Sequence, residues 1–220
     1  MKSNFCYQGH HEQVATAIKE HINSLDGFLT PQTASSPRAV GDALELPVAD
    51  KFGDFLGSWC QECSSDFARR AMADMAFTDT EDFHSVIDVK THREDTVFNM
   101  PNITSVERLA RFYESDKNVL SLIMIRYSVD GTDLKISDVL FAPIEFLDWQ
   151  CLTVGALGRG QIANSNDIQI VPQNSRKAWM LQLCEVMMAF YPREMEKITM
   201  RRRRFENVRE HWAHKEDVWL

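Results

Sequence analysis

Nowhere in the 220-residue sequence does an apolar run approach the roughly 20 residues of a membrane-spanning helix. A helical membrane span is thereby excluded. The opening stretch MKSNFCYQGHHEQ also lacks the apolar segment of a signal peptide, so the protein is expected to stay in the cytoplasm. Cysteine is scarce: there are five, an odd number at irregular spacing, which does not make a disulfide framework. Reduced thiols are expected. Cys60-Gln-Glu-Cys63 is a single CxxC with no second pair and no Cys/His partner motif, and it reads as two cysteines on a helix face. Basic residues are in deficit, 24 against 32 acidic, and the net charge of −8, taken alone, argues against a nucleic-acid partner because phosphate binding needs a positive field. No repeat or low-complexity segment is present.

What remains is close to an average globular composition, 44% hydrophobic and 25% charged, enough for one sizeable core in a single domain. The charge is unevenly spread. Acid concentrates between 42 and 95, whereas Arg176, Lys177, Arg193, Lys197 and the run Arg201, Arg202, Arg203, Arg204 lie near the C-terminus. That run suits a solvated helix face, a subunit contact or a phosphate contact equally.

Val14, Ile18, Ile22 and Leu25, spaced by three and four, predict an amphipathic helix over 11–28 that Gly27 ends. LTPQTASSPRAVGD reads as a polar loop, and 43–72 as two helices or one broken near Gly57-Ser58. MADMAF and FHSVIDVK predict a strand hairpin across the turn TDTED. A Thr104-x-x-Glu107 capping box opens a helix, two strands follow across DGTDL, and a glycine-rich loop precedes a helix from Ser175 to about His214, broken at Pro192. This order is α+β, a mixed central sheet flanked by helices. It divides into a helical part, 1–72, a hairpin and sheet, 73–150, and a loop with C-terminal helices, 151–220.

The stretch HSVIDVKTHR carries the chemistry. Val86, Ile87 and Val89 are β-branched and mark a buried strand, yet Asp88 and Lys90 sit within it, two residues apart and so on one face. A dry, unpaired acid and amine would cost several kcal/mol per ion. Asp74 lies fourteen residues earlier on the first strand of the hairpin, where it can come beside Asp88. Two carboxylates and a lysine at one edge suit a hard divalent cation, Mg²⁺ above all, which accepts one or two carboxylates plus waters and substrate phosphate. The lysine can position the attacking water. A plain salt bridge between Asp88 and Lys90 is the structural alternative. His84 and His92 flank the strand, but this chemistry requires neither.

ADMAF…SVIDVKT resembles the signature of the PD-(D/E)XK nucleases, with Asp74 and Asp88 as the acids, Lys90 as the lysine, and Ala73 where the family has proline. With MPNITSVERLARF, a strand pair, FLDW and a C-terminal helix, the stretch from about Arg38 to about 210 is similar to type II restriction endonucleases, nearest the HincII-like blunt cutters and more distantly the EcoRV-like ones. The resemblance implies a restriction-endonuclease-like fold and hydrolysis of double-stranded DNA with Mg²⁺, for which Mn²⁺ substitutes. The metal would be held by Asp74, Asp88 and the Val89 carbonyl. RAVGDALE looks like the family's first-helix pattern, making Glu45 a candidate for a second metal or an orienting role, although a glutamate in a first helical turn is also favourable for its dipole alone. It implies a homodimer as well, and a cognate DNA methyltransferase acting on the same site without direct contact.

Two segments are candidates for reading DNA. In FNMPN, 98–102, Asn99 and Asn102 carry amides able to bond base edges, and the resemblance puts this segment along the minor groove. In GALGRGQIANSN, 155–166, glycines including Gly158 let the backbone approach another surface, Arg159 suits guanine, and Gln161 or Asn164 suits adenine. The spacing is wrong for a GxGxxG nucleotide cradle.

Overall fold

A computed structural model describes residues 2–63, 73–97, 100–155, 160–164 and 168–217, with 100–102 described for their backbone alone. In chain order the elements are α1 (Asn4–Tyr7), α2 (His10–Asn23), α3 (Pro31–Ala34), α4 (Pro37–Leu56), β1 (Cys60–Cys63), β2 (Met75–Asp79), β3 (His84–Arg93) and β4 (Met100–Ser105). Next come α5 (Val106–Phe112), β5 (Asn118–Asp130), β6 (Asp133–Pro143), β7 (Leu152–Gly155), β8 (Gln161–Asn164) and α6 (Arg176–Ala213). Two compact units result, Met1–Ser175 and Arg176–Leu220, the second built on α6.

The first unit is α+β. Its main sheet has the order β1-β2-β3-β5-β6, antiparallel throughout except for β3 and β5, which run parallel. A parallel neighbour needs a crossover, and the chain makes it through β4 and α5. Phe5, Phe52, Phe77 and Phe141 meet edge-on or tilted, with centroids 5.2 to 6.1 Å apart, and anchor the core between the N-terminal helices and one sheet face. Val40, Leu44 and Val48 of α4 join Ile87, Val89, Ile123 and Ile125 there. Each fully buried side chain of this size contributes about 1.5–3 kcal/mol.

Several local expectations are corrected. The polar stretch read as a loop contains α3 and the start of α4: Thr30 and Ser36 are N-caps, their hydroxyls accepting from Thr33 N and Ala39 N, each followed by a proline whose missing N–H costs nothing at the first helical position. Glu45 therefore sits in the middle of α4, not in a first turn, and the dipole explanation for it falls away. Cys60 and Cys63 lie on a strand and are joined as a disulfide, where helix-face thiols were expected. The helix after β4 is capped at Ser105 without a side-chain bond, so Thr104 and Glu107 form no capping box. Pro192 does not break the last helix, which runs unbroken over 38 residues. No described helix is long and apolar enough to cross a membrane.

The β2–β3 hairpin is fixed by a buried acid. Asp79 is fully buried; its Oδ1 accepts from Glu81 N and Phe83 N, both at 2.9 Å, and its Oδ2 accepts from Ser3 Oγ. Asp82 takes the left-handed conformation, φ 59°, that closes the turn. The turn sets the register Met75↔Ile87, and one further step along it brings Asp74 opposite Asp88.

Candidate active site

The β2–β3 ladder ends at Met75↔Ile87, and among the described residues Asp88 to Arg93 pair only with β5. The edge so opened is where the acids gather. Asp74, exposed just before β2, donates its own N–H to Ile87 O at 2.9 Å and accepts Val89 N–H on its Oδ2 at 2.6 Å. The carboxylate thus takes the place of the next rung. A residue's N–H and C=O point to the same edge of a strand, so the Val89 carbonyl addresses this site too.

Asp88 and Lys90 share a face by alternation, and they meet. Lys90 Nζ donates to Asp88 Oδ1 at 2.7 Å and lies 2.6 Å from Oδ2. That second contact has ion-pair distance but not hydrogen-bond geometry, and Oδ2 stays buried without a directional donor. Burial raises the Asp88 carboxyl from 3.8 to about 6; the Lys90 ammonium opposes this, and the nearby Asp74 charge adds to it. Glu45 is also raised, first by burial, then by the negative charges of Asp74, Asp42 and Asp88, with Lys90 acting the other way. Glu45 therefore feels all three residues of the proposed set.

Gly41 is what lets α4 come this close. A Cβ at that position would stand 2.8 Å from Thr91 Oγ1 on β3, nearer than real side chains approach. Glu45 is one helical turn further on and on the same side of α4. The sequence reading placed this glycine before the helix that carries Glu45, whereas Gly41 is the fifth residue of α4 itself. Thr91 as its partner was not legible, because nothing local marks a contact across fifty residues. Asp42 and Asp79 were likewise passed over.

Asp74, Asp88 and Lys90 are brought together by hydrogen bonds at the strand edge, and Glu45 lies near enough on α4 to feel their charges. Among the described residues, no three or more His, Cys, Asp or Glu side chains form a ready-made metal cage. A Mg²⁺ ion does not need one, since it takes one or two carboxylates and keeps several waters. The buried Asp88 Oδ2 without a directional donor, beside a second acid and an edge carbonyl, is a donor set such an ion fits. His84 begins β3 with its pKa lowered by burial, and His92 lies further along the strand.

The described parts of the two candidate DNA-reading segments belong largely to a second, three-stranded sheet of order β4-β8-β7. Met100 pairs with Asn164, and Leu152 pairs with Asn164 from the other side. Gln161 and Asn164 therefore sit on a strand where a loop was expected; Gln161 is half-buried and Asn164 buried. Asn102 is on β4. Asn99, Gly158 and Arg159 lie outside the described residues. Arg201, Arg202, Arg203 and Arg204 are all exposed on α6. Compared with known proteins, the chain matches no family model and no curated protein.

Proposed function

We propose that the protein is a Mg²⁺-dependent type II restriction endonuclease of the PD-(D/E)XK kind, hydrolysing both strands of duplex DNA at a short symmetric site. The observation that carries this reading is the meeting of Asp74, Asp88 and Lys90 at an open strand edge, Asp74 accepting from Val89 N–H and Lys90 donating to Asp88, with the Asp88 carboxyl pushed up to about 6 by burial. A carboxyl pushed up by burial and set beside a specific charge partner is a candidate for acid–base or metal chemistry on physical grounds.

Asp74, Asp88 and the Val89 carbonyl would hold the ion, with Glu45 orienting them or serving a second ion. Bound there, Mg²⁺, or Mn²⁺ in its place, supplies Lewis acidity that eases deprotonation of water and offsets charge on the phosphate. The Lys90 ammonium, tethered to Asp88 and a quarter exposed, positions the attacking water and pairs with a phosphate oxygen. Water adds to phosphorus, the bond to the 3′ oxygen breaks, and the products carry 5′-phosphate and 3′-hydroxyl ends. Cutting both strands of a symmetric site calls for two such centres, hence a homodimer. A cytoplasmic enzyme of this class needs a DNA methyltransferase that marks the same site.

Incubating plasmid DNA with the protein and Mg²⁺, beside a sample with EDTA, tests the reading. Discrete metal-dependent bands are expected. A metal-dependent smear would instead assign a repair or recombination nuclease with the same centre and little sequence preference. Intact plasmid, retarded on a gel but uncut, would reduce the protein to a DNA-binding module.

A further inference from the structure

Every described residue from 195 to 217 is exposed, although Met195 to Ala213 are helical. Helices in proteins owe most of their stability to an apolar face packed on a partner. α6, about 57 Å long at 1.5 Å per residue, has such a face, and its period is seven. Leu181, Met188, Met195, Arg202 and Arg209 recur as one set of positions. Cys184, Tyr191, Ile198, Phe205 and Trp212 recur as the other, three residues on from each. These are the a and d positions of a heptad, eight of ten apolar, and all ten are exposed, with Met195 at 68%, Phe205 at 70% and Trp212 at 67%. A sustained seven-residue repeat is the pattern of a left-handed coiled coil.

We propose that α6 is one strand of an antiparallel two-helix coiled coil whose other strand is α6 of a second copy of this chain. Charge selects the orientation. In a parallel pair each a residue faces its own counterpart, which would set Arg202 against Arg202 and Arg209 against Arg209 in the seam. In an antiparallel pair with Met195 facing Ile198 of the second copy, every layer is a different pair. Arg202 then faces the ring of Tyr191, a cation–π arrangement, Arg209 faces Cys184, Phe205 faces Met188, and Trp212 faces Leu181. At the flanks, Glu194 comes beside Arg201 of the second copy, twice by symmetry. Glu206, which this register brings near Glu185 of the second copy, is already paired with Arg202 at 3.2 Å. Area agrees as well. Tyr191, Phe205 and Trp212 are still 45%, 70% and 67% exposed, so each can bury only about half to two thirds of the ~150–250 Å² an aromatic side chain carries. With Leu181, Met188, Met195 and Ile198 the seam approaches the order of ~800 Å² per copy, the share of one partner in a standard interface.

The arginine run is thereby divided. Arg201 and Arg202 belong to the seam and its flank, while Arg203 and Arg204 point away from it and stay free for other partners. The inference stands apart from the cleavage chemistry, so a dimer that cuts nothing would leave it standing.

Sedimentation of the full chain at micromolar concentration is expected to give twice 25.3 kDa. Ile198→Asp with Phe205→Asp should return the mass to 25.3 kDa, while near-UV dichroism of the first unit is retained. Orientation is read by oxidation in a Cys184→Ser background, which removes the exposed thiol of α6. Leu181→Cys combined with Trp212→Cys should cross-link copies through both ends; the same helix cannot join them itself, since they are about 46 Å apart along its axis. Leu181→Cys alone should not cross-link. A monomeric wild-type chain, a dimer that survives the double aspartate variant, or efficient cross-linking of the single Leu181→Cys variant would each overturn the proposal.

Discussion

Gly41 of α4 and Thr91 of β3 pack backbone against hydroxyl, leaving no room for a Cβ between helix and sheet. This contact sets how near Glu45 comes to Asp88 and Lys90. Gly41→Val should destabilise the protein by about 1–3 kcal/mol through overpacking and lower cleavage further than that loss of stability explains. Thr91→Ala in the same chain should recover part of both, because residues in contact couple. Chemical denaturation and initial rates of the two single variants and the double variant give the coupling; independent effects would separate the helix position from the site.

Asp74→Ala, Asp88→Ala and Lys90→Ala should each lower cleavage by about a hundredfold to ten-thousandfold with the fold retained. DNA binding should survive better than cleavage, since removing an acid beside phosphate relieves repulsion. Rates with circular dichroism on each variant are the measurement. Near-normal turnover by folded Asp88→Ala would remove this acid from the mechanism.

Without metal, Asp88 makes stability depend on pH. Its folded pKa, about 6, stands above the ordinary 3.8 because burial disfavours the charge. The folded state therefore holds the proton more tightly between those values, and stability falls as pH rises through this window, then stays low above it. The full effect is about 3 kcal/mol at most. Asp88→Asn, which cannot ionise, should flatten the profile between pH 4 and 6.5 and should gain most over wild type near pH 8. Thermal melts in EDTA across this range test it, and a wild-type profile rising from pH 4 to 6.5 because of Asp88 would contradict the assigned direction.

Arg159→Ala should weaken discrimination between cognate and scrambled duplexes by about 1–3 kcal/mol, while neutralising Arg203 and Arg204 should weaken all DNA alike and flatten the salt dependence. Competition binding at two salt concentrations distinguishes the two. Unchanged discrimination in Arg159→Ala would make the glycine-rich segment structural.

The ends should be blunt and 5′-phosphorylated, cut from a palindrome of about six base pairs. This expectation rests on the proposed likeness to blunt-cutting restriction endonucleases, drawn from the short spacing between Asp74 and Asp88 and the C-terminal position of the glycine-rich segment. Run-off sequencing of both strands reads site and stagger together, and overhanging ends would confine that likeness to the catalytic core.

The Asp88–Lys90 pair was legible in the sequence because alternation alone puts the two side chains on one face of a β-branched run, and they meet there as an ion pair. Strand pairing was legible where turns were tight, as at Asp130-Gly131-Thr132-Asp133, a two-residue hairpin with Gly131 at φ 63°. Proline misled in both directions. At Pro31 and Pro37 it opens helices after a hydroxyl cap, and at Pro192 it rides inside one, so proline taken only as an interruption misses what Thr30 and Ser36 contribute. The strand character of Gln161 to Asn164 was hidden because its partners, β4 and β7, are remote in sequence or joined through glycines that read as loop.

Where the hairpin ladder stops, a side chain stands in for a strand: the Asp74 carboxylate holds the Val89 N–H that would otherwise face outward unpaired. Exposed edge amides are templates on which another chain can add, and proteins blunt them with charge. Asp74 is such a charge, stationed at the first free rung. A chain with alanine there loses more than an acid of the proposed centre: it gains a bare, β-branched edge, and it should be harder to keep free of aggregate than a chain with alanine in place of Lys90.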